Sequence, residues 1–128
     1  NLKARGFYFP PLLASDAFVD DTASVASGVV VGRGVFIGFG ATIGVNTLVN
    51  TGAIIEHDCK IGHSSHIAPG AVLCGGVTLG SNVYIGPGAV ICRGVIIGQN
   101  CVIGAGTSVV KNVPSNTTVL PGSNRTFS

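Results

Sequence analysis

The 128-residue chain has no methionine and no tryptophan, only 6% of it is aromatic and only 9% is charged. Its formal net charge is +2. With no basic run, and no basic residues interleaved with aromatics, it lacks the electrostatic footprint of a nucleic-acid binder. Long hydrophobic runs are missing as well. Mean hydropathy is high, at +0.59, yet glycine or a polar residue interrupts every apolar stretch well short of the roughly 18–20 residues a membrane span requires. That excludes a transmembrane helix, and no signal peptide is visible. The four cysteines, Cys59, Cys74, Cys92 and Cys101, show no CxxC spacing. They read as buried thiols of a reducing, cytoplasmic compartment. Cys74 and Cys92 lie 18 residues apart, within bridging reach under oxidation if neighbouring coils stack them. Asn116 and Asn124 open glycosylation-type triplets that carry little weight without a secretion signal.

What the chain does have is periodicity. An aliphatic residue recurs at every sixth position from Val19 through Ile37, Ile55, Leu73 and Ile91 to Val109, without a miss. Six is neither the 3.6 of a helix nor the 2 of an ordinary strand, so the ladder predicts a coil that returns each side chain to one environment. Two positions before each ladder residue stands a small or β-branched one, such as Ala53, Cys59 or Ala71, also expected to point inward. Three positions after most of them stands Gly, Asn or Asp, the residues that tolerate a left-handed backbone, so these are corners. Strand and corner three times round make an 18-residue triangular turn that pairs in parallel with the turns above and below. This pattern resembles the left-handed hexapeptide-repeat β-helix. The resemblance, not the spacing, supplies the handedness of an all-β, left-handed parallel β-helix of about five triangular coils. Its expected bounds are 17–113, between an N-terminal segment 1–16 and a C-terminal tail 114–128.

The absence of methionine even at position 1, and the opening Gly6-Phe7-Tyr8-Phe9-Pro10-Pro11 segment, suggest a piece cut from a longer protein. One branch of the family that the repeat resembles, its sugar acetyltransferases, carries a small nucleotide-sugar-binding α/β domain just before such a linker.

The residue before each ladder position points outward, and sorting these by 18 gives three faces. One reads Phe18, Phe36, Ile54, Val72, Val90, Ser108; a second Val30, Leu48, His66, Tyr84, Val102; the third Ser24, Thr42, Lys60, Thr78, Ile96. Two apolar faces on a triangular prism suit two neighbours around a threefold axis, so a homotrimer is expected.

All three histidines fall within ten residues: His57, His63 and His66. His57 stands in a corner column with Phe39 one coil before and Gly75, Arg93 and Lys111 on the coils after. A residue without a side chain beside an imidazole leaves room for a ligand at the backbone, whose N–H could face a developing oxyanion. Asp58, next in sequence, could fix the imidazole tautomer. From residues alone such a pair is either catalytic or a solvated corner. The stretch Asn50-Thr51-Gly52-Ala53-Ile54-Ile55-Glu56-His57-Asp58-Cys59-Lys60-Ile61-Gly62, with His66-Ile67-Ala68-Pro69-Gly70-Ala71 and Cys74-Gly75-Gly76-Val77, is similar to the sugar acetyltransferases of bacillosamine and sialic-acid pathways.

That resemblance implies direct acetyl transfer from acetyl-CoA, with no metal and no covalent enzyme species. It implies His57 as general base, Asp58 as its orienting partner, His66 near the acetyl group, Asn50 near the acceptor, and the Gly75 amide facing the thioester carbonyl. Arg93 and Lys111 are candidates for the phosphates of CoA. The expected acceptor is a nucleotide-linked 4-amino-4,6-dideoxy sugar, with O-acetylation of a sialic acid as the alternative. Val119-Leu120-Pro121-Gly122-Ser123-Asn124-Arg125 departs from the family's usual close, leaving the adenine contacts open. Three further readings compete less well. A γ-carbonic-anhydrase-like zinc site needs a histidine pair five residues apart, which is absent. An ice-binding face would show a Thr-x-Thr ladder and a scaffold would not cluster its histidines. Gly32-Arg33-Gly34 and Gly38-Phe39-Gly40 mimic a dinucleotide fingerprint but fall on the corner grid.

Overall fold

The computed structural model describes residues 9–121 and the backbone of Thr126–Phe127. The opening residues 1–8, the stretch 122–125, with Asn124 and most of the atypical close, and Ser128 lie outside the described residues. Among the described residues all regular structure is two-residue β-strand, and the strands stack in three sheets that form the faces of a left-handed prism, parallel throughout except that Thr126–Phe127 pairs antiparallel with Thr118–Val119. The face that carries Leu48–Val49, His66–Ile67 and Tyr84–Ile85 will be called A. Face B carries Phe36–Ile37, Ile54–Ile55 and Val72–Leu73, and face C carries Thr42–Ile43, Lys60–Ile61 and Thr78–Leu79. The chain runs A to B to C, so three edges separate the faces.

The ladder forms the core. From Val31 to Val109 every ladder residue is buried, and so are the small residues two positions before, from Val29 to Val113. Val19 and Val25, in the first coils, are half-buried. The inward polar residues satisfy themselves along the axis: Thr47 donates to the Gly62 carbonyl (3.1 Å) and accepts from the Ser65 amide (3.2 Å), and the Ser65 hydroxyl accepts from the Val83 amide (3.1 Å). Cys59 is fully buried, its thiol donating to the Cys74 carbonyl at 3.2 Å; desolvation pushes it up to about 11. Burial also raises the Cys74 thiol. All four cysteines are free.

The stack makes six turns, where the repeat count gives about five. It runs past both ends of the ladder. Leu12–Leu13 pairs with Val30–Val31, and Thr118–Val119 pairs with Val102–Ile103. The ladder breaks at Ser115 because the last turn is shorter: Ile97 bridges Val113, 16 residues on rather than 18. Asn112 makes this possible, since its side-chain oxygen accepts the Ile96 amide at 2.8 Å where the regular turns use a carbonyl.

One corner breaks the composition rule. Ser64 takes a left-handed φ of +57°, in the place that Gly, Asn or Asp holds in the coils around it. The left-handed backbone costs a serine about 1–2 kcal/mol, more than the extra chain entropy a glycine would lose on folding. Ser64→Gly is therefore expected to stabilise the fold by about 0.5–1 kcal/mol, read as a melting temperature raised by roughly 2–4 °C. A lowered melting temperature would mean that the Ser64 hydroxyl, 3.2 Å from His63 Nδ1, outweighs the backbone.

Candidate active site

The edge between faces B and C brings one constellation together. Strict pairing of Ile37 with Ile55, Ile55 with Leu73, Leu73 with Ile91 and Ile91 with Val109 puts Phe39, His57, Gly75, Arg93 and Lys111 in one vertical column. Backbone bonds tie its coils together: Asp58 N–H donates to the Phe39 carbonyl at 2.8 Å and Gly76 N–H to the His57 carbonyl at 2.9 Å.

Asp58 sits at φ +60°, and this left-handed turn carries its carboxylate back beside the preceding imidazole. His57 Nδ1 lies 3.0 Å from Asp58 Oδ2, with the two side chains 53% and 60% exposed. A carboxylate offers only acceptors, so Nδ1 carries a proton and donates, which in the neutral imidazole leaves Nε2 with a free lone pair. The imidazole lies over Gly75. A methyl group on Gly75 would stand 2.5 Å from His57 Nε2 and 2.7 Å from Cε1. The space that Gly75 leaves is thus filled by the imidazole itself, and Gly75 is buried beneath it. The Gly75 N–H has no acceptor among the described residues.

A second glycine serves the carboxylate. A Cβ on Gly40, one coil below Asp58, would meet Asp58 Oδ1 at 2.6 Å. Sequence reasoning passes over Gly40, because its left-handed corner (φ +69°) already explains a glycine there.

Two family models match the chain: the hexapeptide repeat of succinyl-transferase over residues 52–87 and the bacterial transferase hexapeptide (six repeats) over 76–111. The chain is a hexapeptide-repeat protein.

Among solved structures, this hexapeptide-repeat chain is similar to PerB from Caulobacter crescentus in complex with CoA and GDP-perosamine, at 32% identity and a TM-score of 0.94. That alignment covers 98% of this chain and 61% of PerB. The acetyltransferase domain of PglB from Neisseria gonorrhoeae matches at 33% identity and 0.92, over 98% of this chain and 60% of that one. WeeI from Acinetobacter baumannii matches at 26% and 0.83, over 98% and 62%. The chain therefore spans about three fifths of the length of these relatives. No curated protein sequence matches it significantly.

Of the other sequence-predicted residues of the hexapeptide prism, His66, Asn50 and His63 lie apart from His57. His66 is on face A, half-buried between Leu48 and Tyr84, its ring 5.1 Å from that of Tyr84 in an edge arrangement. Its Nε2 is buried without a hydrogen-bond partner. Asn50 stands on the edge between faces A and B, its side-chain oxygen accepting the Thr51 amide at 2.8 Å. Face B separates both from His57 within one chain. His63 occupies the third edge, exposed, beside the Ser64 hydroxyl. Arg93 and Lys111 are exposed on the His57 column and form no ion pair among the described residues. Among the described residues no three His, Cys, Asp or Glu side chains gather as metal ligands, and no helix is long and apolar enough to cross a membrane.

Proposed function

We propose that this chain is the catalytic prism of a cytoplasmic, acetyl-CoA-dependent acetyltransferase that N-acetylates a nucleotide-linked 4-amino-4,6-dideoxy sugar, working as a homotrimer. The observation that carries the reading is the His57–Asp58 pair, with its free Nε2 held over Gly75 at the margin of an apolar face. The neutral amine attacks the thioester carbonyl and passes its proton to His57 Nε2. The C–N bond forms, the C–S bond breaks, and the proton leaves with the CoA thiolate as free thiol. An imidazole whose other nitrogen is tied to a carboxylate is suited to accept that proton. The Gly75 N–H is a donor without an acceptor, which suits it to the oxyanion once acetyl-CoA settles beside the imidazole. Arg93 and Lys111 offer the charge for the phosphates of CoA further along the same edge.

The trimer reading rests on the two apolar faces. Face B leaves Phe18 52% and Phe36 37% exposed, and face A leaves Val30 39% and Val102 41% exposed. Docking face B of one copy on face A of the next would bring the edge that carries His57 alongside a face of the type that carries His66. Perosamine complexes of a protein about one third identical favour an amine over a hydroxyl acceptor.

The test is release of thiol from acetyl-CoA against a panel of UDP-, GDP- and dTDP-linked 4-amino-4,6-dideoxy sugars and sialic acid, on the protein with any further domains it carries. Turnover with at least one amino sugar is expected. Turnover with sialic acid alone would move the assignment to O-acetylation, and silence across the panel would overturn it.

A further inference from the structure

We infer that Phe39 is the platform on which the acceptor's deoxy-sugar ring rests, and that it makes the enzyme prefer 6-deoxy over 6-hydroxy acceptors. The inference rests on the acetyl-transfer reading above. Sixteen corner residues stand two positions after a ladder residue, from Asp21 to Lys111, and Phe39 is the one phenyl ring among them. It is 59% exposed and lies one coil below His57 in the same column. Its carbonyl accepts the Asp58 amide at 2.8 Å, so its backbone is fixed directly under the catalytic pair. Its neighbour Gly38 is buried against Phe36, whose Cε1 would be 3.3 Å from a Cβ there; Phe36 in turn stacks on Phe18 at 5.2 Å.

The column is polarised about the base. The two cations of this column, Arg93 and Lys111, lie beyond Gly75, and the aromatic ring lies on the opposite side of His57. With the phosphates of CoA held at the cationic end, as proposed above, the sugar of the acceptor reaches Nε2 from the end that holds Phe39. One coil is about 4.8 Å, and His57 Nε2 lies on the Gly75 side of its ring, so the acceptor runs alongside the imidazole, its amine about 3 Å from Nε2 and the rest of the sugar toward Phe39. The sugar ring is the part of the acceptor that fills this interval, since the nucleotide lies beyond a diphosphate. In a 4-amino-4,6-dideoxy sugar the amine-bearing carbon adjoins the carbon that carries the methyl group. An amine seated at Nε2 thus brings the methyl and the C–H face of the ring within reach of the phenyl face, where a hydroxymethyl group would lose hydration.

The experiment is steady-state kinetics of wild type, Phe39→Ala and Phe39→Leu with the best amino-sugar acceptor, its 6-hydroxy analogue and acetyl-CoA. Phe39→Ala is expected to raise the acceptor KM about tenfold, leave the acetyl-CoA KM unchanged, and shrink the 6-deoxy preference by a similar factor, the range of a single apolar contact. Phe39→Leu should retain part of both. Because the ring is exposed, melting temperatures should stay near wild type. An unchanged acceptor KM in Phe39→Ala, or a rise confined to acetyl-CoA, overturns this inference while leaving acetyl transfer intact. A wild-type protein inactive on every amino sugar overturns both.

Discussion

Replacing His57 with alanine is expected to lower acetyl-transfer turnover a hundredfold or more, within the 10²- to 10⁴-fold range for losing a general base. The fold should be unaffected, because the ring is 53% exposed and its one side-chain bond is to Asp58. That exposure gives a sharper readout than the loss itself. Added imidazole can reach the vacated space over Gly75 and should restore part of the rate, whereas a variant that failed through misfolding would not respond. Asp58→Asn is the companion case. A side-chain amide can donate to Nδ1 and so favour the opposite tautomer, with the proton on Nε2 and no lone pair facing the amine. A loss of tenfold or more is expected there, with acetyl-CoA KM unchanged. Turnover near wild type in His57→Ala would remove the base from the mechanism, and the remaining rate would have to come from positioning alone.

The architecture was legible because each period-six constraint is repeated many times, and no single residue decides it. Burial of the ladder from Val31 to Val109 and the 18-residue registers of face B follow directly from that repetition. What the pattern did not show are places where one residue substitutes for the rule. Asn112 lends a side-chain oxygen to the Ile96 amide and lets the last turn lose two residues, so a reading that demands an aliphatic at Ser115 stops one turn early. Leu13 extends the ladder backwards but is exposed at the end of the stack. Ser64 adopts the corner conformation against its own preference because the coils on either side fix its backbone, its N–H bonding to the Val45 carbonyl.

The same distinction applies to the site. The pairing of His57 with Asp58 follows from adjacency and a left-handed corner, both readable in the chain. The reason for Gly75 differs from the one the sequence suggested, since its missing side chain first makes room for the imidazole and not for a ligand. Gly40 was hidden because a corner glycine has a sufficient explanation already. His66 and Asn50 sit across face B from His57, and sequence spacing says nothing about which edges of separate copies meet.

Gly75→Ala carries the second large expectation, and it separates space from backbone strain. Gly75 is not among the left-handed corners, so its backbone accepts an alanine. The new methyl, however, would lie 2.5, 2.7 and 3.2 Å from three atoms of the His57 ring. Real Cβ atoms do not approach so closely, and the cheapest relief is rotation of an exposed ring away from its seat, which breaks the 3.0 Å bond to Asp58. A base displaced by about 1 Å can cost roughly a hundredfold in rate, so turnover should fall by about that factor while the melting temperature stays near wild type. Gly76→Ala makes the reverse substitution. Gly76 holds φ +72°, where alanine is strained by about 1–2 kcal/mol, and no His57 atom is within 4 Å of its Cβ position. It should lose stability and keep most of its turnover below its melting point. If both variants lost activity in proportion to stability, the imidazole would not depend on the vacancy at Gly75, and the geometry that makes Nε2 the proton acceptor would have to be abandoned.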